Sequence, residues 1–209
     1  MKLVVAEKGG ACGYININGF WVLPPEFVYC SIFSEGLAGA TKDDKWGFID
    51  KNGAWAIFPE FDNAKPFSEG LAAATKDDKW GFIDKNGAWA IFPTFEGLGS
   101  FSGDLASASL EEKYGFIDKK GAWAIPPEFD YVEAFIEGLA IAEKDEKAGF
   151  IDKNGAWVIE PEFDAILAFS EGLAVAGYDD KLGLIDKKGN MVIKPVYSEL
   201  DLALIEKLK

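Results

Sequence analysis

The side chains with chemistry to offer are carboxylates, tryptophans and two cysteines: Asp and Glu number 35, Trp 7 and Cys 2, and histidine is absent. Two carboxyls flanking one bond are the machinery of glycoside hydrolysis, and oxygen-rich turns such as "DDK" and "DKNG" are where a calcium loop would be sought. Neither chemistry finds its pattern here. The acids recur at the same offsets along the chain, so no pair is peculiar to one place, and the turns lack the dense ligand spacing of an EF-hand. Without histidine there is no imidazole base, no Ser-His or Cys-His nucleophile and no His-containing metal site. Cys12 stands where later copies carry Trp46 and Trp80, and Cys30 where they carry Ala64, Leu98, Val132 and Ile166, so both read as small core residues, with a disulfide or a reactive thiol as the alternative. Two cysteines make no disulfide framework and leave the redox compartment open. The glycines belong to strands and turns rather than to a strand-to-helix phosphate loop, which argues against nucleotide binding. The expectation is a protein with no catalytic residues, no cofactor and no metal.

What distributes these residues is an internal repeat. Gly13, Gly47, Gly81, Gly115, Gly149 and Gly183 are each 34 residues apart. A second glycine series runs Gly19, Gly53, Gly87, Gly121, Gly155 and Gly189, and a proline series Pro25, Pro59, Pro93, Pro127, Pro161 and Pro195. Between them stand Trp21, Trp55, Trp89, Trp123 and Trp157, replaced in the last copy by Met191. Six copies fill residues 1–34, 35–68, 69–102, 103–136, 137–170 and 171–204 without insertion, leaving 205–209 as a tail. Self-similarity at such a period marks an array of supersecondary units.

Each copy reads as three short antiparallel strands. In the third copy they fall at Leu71–Lys76, Trp80–Asp84 and Ala88–Phe92, joined by "DDK" and by "DKNG". A polar turn containing Asn-Gly between aromatic and β-branched runs is a hairpin signal, because glycine supplies the positive φ. Pro93 is expected to end the third strand, and in the second copy Asp62 is expected to cap a short helical turn in the connector Pro59–Gly70. On the third strand Trp55 and Ile57 share one face and Ala54, Ala56 and Phe58 the other. Both faces are apolar, so stacking of copies is expected to bury the second, and truncating a central Trp to cost roughly 3–5 kcal/mol.

The string "KWGFIDKNGAW" at Lys45–Trp55, followed by a proline, "EFD" and "FSEGLA", resembles the WG-repeat (KWG) family of bacterial proteins. The name-giving Trp gives way to Cys12, Tyr114, Ala148 and Leu182, whereas the glycine after it never changes. The resemblance implies a non-enzymatic, β-rich interaction array, and favours the bacterial envelope, periplasm or secretion over the cytoplasm. The opening "MKLVVAEKGG" has an apolar stretch too short for a signal peptide and reads as mature structure.

The predicted fold is all-β: six three-stranded meanders stacked as an open, curved, solenoid-like array. A six-bladed propeller-like ring is the alternative, but 34 residues is short for a propeller blade of about 40–45. The atypical first and last copies, and "SELDLALIEKLK" at 198–209 as a cover for an exposed end, favour the open form.

Net charge is −14, from 35 acidic and 21 basic residues, which disfavours nucleic acid and anionic lipid as partners. Apolar runs are too short to insert in a membrane as helices. The connector windows 24–36, 58–70, 92–104 and 194–206 carry −2 each, and 126–138 and 160–172 carry −4 each. Together they hold −16 against −14 for the chain, so the remainder is slightly positive. Copies stacked in register place this excess along one edge, strongest around Glu128, Asp130, Glu133, Glu137, Glu160, Glu162, Asp164 and Glu171. That edge is the candidate docking surface for a basic protein, with inhibition of a cationic enzyme such as a lysozyme as one outcome. Two other functions fit the same sequence: a structural spacer whose acidic rim keeps the array soluble, and a carbohydrate-binding or carbohydrate-active protein that stacks sugar on exposed tryptophans.

Overall fold

The computed structural model describes residues 2–200, and these residues contain strands, turns and bends but no helix. Six antiparallel sheets follow one another along the chain, the first two of three strands and the other four of four strands. The chain divides into two compact units, Met1–Ala106 with Lys119–Gly121, and Ser107–Asp118 with Ala122–Lys209.

Within a copy the first two strands close on a two-residue loop. Lys42 pairs with Lys45, leaving Asp43 and Asp44 as the loop, at φ 52° and 58°. Two consecutive positive φ values define the mirror-image turn whose twist suits a hairpin, and aspartate tolerates that region better than most residues. The second loop is organised by its first residue. Asp50 accepts from Asn52 N–H at 2.8 Å and Ala54 N–H at 3.0 Å through one carboxylate oxygen. The oxygens of these turns thus serve their own loops: Asn52 Nδ2 donates to the second Asp50 oxygen at 3.2 Å, and in the next copy Asn86 Nδ2 donates to Asp84 at 3.4 Å.

The third strand runs Trp55–Phe61, straight through Pro59, and its counterpart Trp89–Phe95 runs straight through Pro93, where the sequence suggested a stop. Between the pairs Trp46↔Phe61 and Phe48↔Ile57 the register shifts, so the strand bulges opposite Gly47 and the proline nitrogen has no ladder bond to lose. A Cβ on Gly47 would lie 2.6 Å from Ile57 O and 2.7 Å from Pro59 N. The same approach recurs at Gly13, Gly81, Gly115, Gly149 and Gly183, so backbone crossing, not backbone freedom, explains the glycine that never varies.

The connector is not helical. Its first residues form the edge strand of the following sheet: Asn63–Ala64 pairs with Ala74–Thr75, flanked by Asp62 N–H to Thr75 O at 3.1 Å and Lys65 N–H to Ala73 O at 2.8 Å. These bonds satisfy the backbone groups that a helical turn would have paired internally, and they supply the fourth strand missing from the three-strand expectation.

The core lies between successive sheets. In the first unit Phe48, Ile57, Phe61 and Phe67 of one copy close over Ala72, Ala74 and Ile83 of the next, with Trp89 half-buried against them. Phe61 meets Trp89 edge-on at 5.5 Å between ring centroids. In the second unit Phe150, Ile159, Phe163 and Phe169 pack over Ala174, Ala176 and Ile185. The small alanines on the receiving side let the aromatic layer approach. The Ala54–Ala56–Phe58 face behaves otherwise than expected, since Phe58 is 74% and Phe92 72% exposed. The third strand is the sheet's outer edge, and stacking covers only its Ile57 and Phe61 side. Residues 201–209, most of the segment expected to cover an end, lie outside the described residues.

Candidate partner-docking edge

All eight carboxylates of the candidate edge lie in the second unit and all are exposed. They are not equivalent. Asp130 and Asp164 follow directly on the third strands Trp123–Phe129 and Trp157–Phe163, 17 residues after a lysine at the start of the second strand. That offset brings Lys113 to Asp130 and Lys147 to Asp164 as ion pairs. The other oxygen of each carboxylate accepts a backbone N–H from the next copy's hairpin loop, Asp145 at 2.8 Å and Asp179 at 3.0 Å. Lysine is the leading cause that holds both carboxyls below the ordinary aspartate range. In the first unit Lys45 and Asp62 repeat the pair, and Lys79 reaches Glu96 at 3.6 Å.

Glu137 ties copies together at longer range. It accepts from Glu171 N–H at 2.7 Å and Gly172 N–H at 3.1 Å, and binds Lys187 at 2.9 Å. Glu137 is thereby held below its usual pKa, with the Lys187 hydrogen bond as the largest cause. Glu35 with Lys85 and Glu69 with Lys119 make the same rung in the first unit, at 3.0 and 3.1 Å. Glu162 stands beside Tyr178, whose hydroxyl is pushed up first by burial and then by this carboxylate.

Three of the predicted carboxylates, Asp130, Asp164 and Glu137, are therefore joints of the array as well as surface charges. Glu128, Glu133 and Glu160 are exposed and take part in none of these ion pairs. The lysines nearest in the pattern, Lys113, Lys147 and Lys187, are already occupied by the joints. Glu128, Glu133 and Glu160 therefore add exposed negative charge outside these ion pairs. The lysine series Lys45, Lys79, Lys113, Lys147, each with an acid 17 residues on, was the signal that would have marked Asp130 and Asp164 as joints.

The slot of the replaceable tryptophan is a second joint, between the second strand and a connector. Trp46 stacks on Tyr29 at 6.4 Å, Trp80 lies 5.2 Å under the Lys65 ammonium, and Tyr114 meets Tyr131 edge-on at 5.7 Å. In the first copy Cys12 is joined to Cys30 by a disulfide, with Cα atoms 6.2 Å apart. The disulfide is thus the alternative that holds for this pair, in place of two separate small core residues. The first four copies each fill the slot with a different contact, which is why the tryptophan there is replaceable. The other series, Trp55, Trp89, Trp123 and Trp157, is half-buried, and Phe27, Phe61 and Phe129 cover Trp55, Trp89 and Trp157 edge-on. These indoles are spent on packing between copies.

The family model described as the WG containing repeat matches the chain at residues 13–46, 46–80, 80–114, 114–147, 149–181 and 183–201. No curated protein matches the sequence. Among solved structures the chain is similar to Hsv2p of Kluyveromyces lactis, at 10% identity and TM-score 0.56, over 89% of this chain and 71% of that one. It is also similar to KlHsv2 with loop 6CD replaced by a Gly-Ser linker, at 11% identity and TM-score 0.59, over 96% and 80% of the two chains. A eukaryotic initiation factor matches at 12% identity and TM-score 0.59, over 93% of this chain and 63% of its own. At such identities the likeness is one of fold alone.

Proposed function

The chain belongs to the WG containing repeat family, and on that premise we propose that it is a protein-binding scaffold without a catalytic centre, whose acidic connector edge docks a basic protein. The observation that carries this reading is the set Glu128, Glu133 and Glu160, exposed and outside the ion pairs that occupy the neighbouring lysines. Glu162 and Glu171 extend the same edge. Asp130, Asp164 and Glu137 hold the connectors in place and add their charge to the field. A surface of one sign accelerates encounter with a partner of the other, and the advantage falls as salt screens it over about 8–10 Å. A cationic enzyme, a lysozyme for example, would be inhibited by occlusion when its cleft faces this edge. The Cys12–Cys30 disulfide supports a bacterial envelope or secreted setting, because such bonds persist in oxidising compartments.

The test is binding of hen egg-white lysozyme, as a cationic probe, measured at rising salt for the unaltered chain and for E128K/E133K/E160K. The expected result is affinity that falls at least about tenfold from low to physiological salt and is lost in the charge-reversed variant. Binding that ignores both salt and charge reversal refutes the proposal.

A further inference from the structure

The interface between successive copies is built from the same two surfaces each time, and the first and last sheets each present one of them uncovered. On the receiving side, Ala38 and Ile49 are 1% and 0% exposed beneath the preceding copy, whereas Val4, the equivalent of Ala38, is 47% exposed and Trp21, the equivalent of Trp55, 37%. On the giving side, Phe61 and Phe163 are 2% and 0% exposed, whereas their equivalent in the last copy, Tyr197, is 48%. The turn glycines report the same asymmetry. A Cβ on Gly53, Gly87 or Gly155 would meet Leu23, Ile57 or Ile125 of the preceding copy at 2.9–3.0 Å, and one on Gly19 would meet nothing within 4 Å. Ile193 holds the equivalent isoleucine position in the last copy.

The backbone matches too. Asn63–Ala64 takes the edge of the strand Ala72–Lys76 at Ala74 and Thr75. The equivalent residues Ala6 and Glu7 lie on the strand Val4–Lys8, which pairs with Ala11–Ile15 on one side only. Both of the exposed positions, Trp21 and Tyr197, are aromatic. An uncovered pair of complementary surfaces on one molecule makes a heterologous, head-to-tail contact.

We propose that the chain associates head to tail with further copies of itself, the Ile193–Tyr197 face of one molecule seating on the Val4–Trp21 face of the next as one more copy-to-copy interface. Tyr197 then meets Trp21 of the next molecule as Phe61 meets Trp89, Ile193 fills the space over Gly19, and Glu199–Leu200 pairs with Ala6–Glu7. This association is independent of the acidic edge. Because each added molecule presents the same two faces, growth does not stop at a dimer.

Sedimentation velocity from micromolar to near-millimolar concentration tests it on the full chain, with Trp21→Glu and Tyr197→Glu as variants at exposed positions whose folding is checked by circular dichroism. The unaltered chain is expected to gain mass beyond a dimer as concentration rises. Each variant alone is expected to remain a monomer, and an equimolar mixture of the two to form a dimer and go no further, since one intact face remains on each. A monomer at every concentration, association that survives in either variant alone, or a mixture that stays monomeric overturns the proposal.

Discussion

Removing the Cys12–Cys30 bond tests how the first copy is held to its connector. The two cysteines are 18 residues apart in sequence, and restoring that loop's freedom to the unfolded chain costs about 3 kcal/mol of stability in the chain-entropy treatment. Cys12 also occupies the joint that Trp46 and Trp80 fill with ring contacts, so no second contact there compensates the loss. The perturbation is Cys12→Ala with Cys30→Ala, compared with the oxidised chain and with the chain under reductant. A loss of ~3 kcal/mol lowers the melting midpoint by roughly 10 °C, measured by circular dichroism or calorimetry, and reduction should lower it by a similar amount. A thiol titration showing two free cysteines in the purified, unreduced protein, or a midpoint that ignores both reduction and substitution, refutes the reasoning.

Three further outcomes follow from the packing and the charges. Phe61→Ala, which empties the contact with Trp89, should destabilise by about 3–5 kcal/mol, while Phe58→Ser on the exposed face of the same strand should stay within about 0.5 kcal/mol; urea melts of the two compare the faces directly. Asp145 and Glu146 form a two-residue loop at φ 52° and 63°, so Asp145→Asn with Glu146→Gly should stabilise by about 1 kcal/mol, read as a higher denaturation midpoint at unchanged slope. Asp130, Asp164 and Glu137 are held below the ordinary carboxylate range. Their contribution to stability is therefore complete above about pH 5 and lost progressively as pH falls through and below that range; urea midpoints at pH 7 and pH 3 should differ in that direction, and by less in Glu137→Gln with Asp130→Asn and Asp164→Asn.

Much of the fold is written in features a reader of the sequence can see, because they are local. The strands Ala72–Lys76, Lys79–Ile83 and Trp89–Phe95 fall within a few residues of where apolar runs and turn residues place them. The 34-residue period carries that reading to every copy. What escaped depends on partners distant in the chain. The connector looks helical when taken alone, and becomes a strand because Ala74 and Thr75 of the next copy offer it an edge. Pro59 looks like a stop until the bulge opposite Gly47 leaves its nitrogen out of the ladder. Phe58 looks like core because its alternate-face position is apolar, and only the edge placement of its strand shows that nothing covers it. The acidic edge was legible as a charge excess, but the division between its joints and its other members was not. That division is set by lysines 17 and 50 residues away, beyond any pattern confined to one strand or turn.

The central claim, that the function resides in the connector edge while the tryptophans and glycines only build the array, is tested most directly by carbodiimide cross-linking to lysozyme, followed by mass spectrometry. The reagent joins exposed carboxylates to lysines without regard to their place in the fold, so the exposed hairpin-loop acids Asp43, Asp77 and Asp179 serve as internal controls. The account predicts cross-links concentrated at Glu128, Glu133 and Glu160. Cross-links spread equally over the hairpin loops, or absent from those three glutamates, would contradict it.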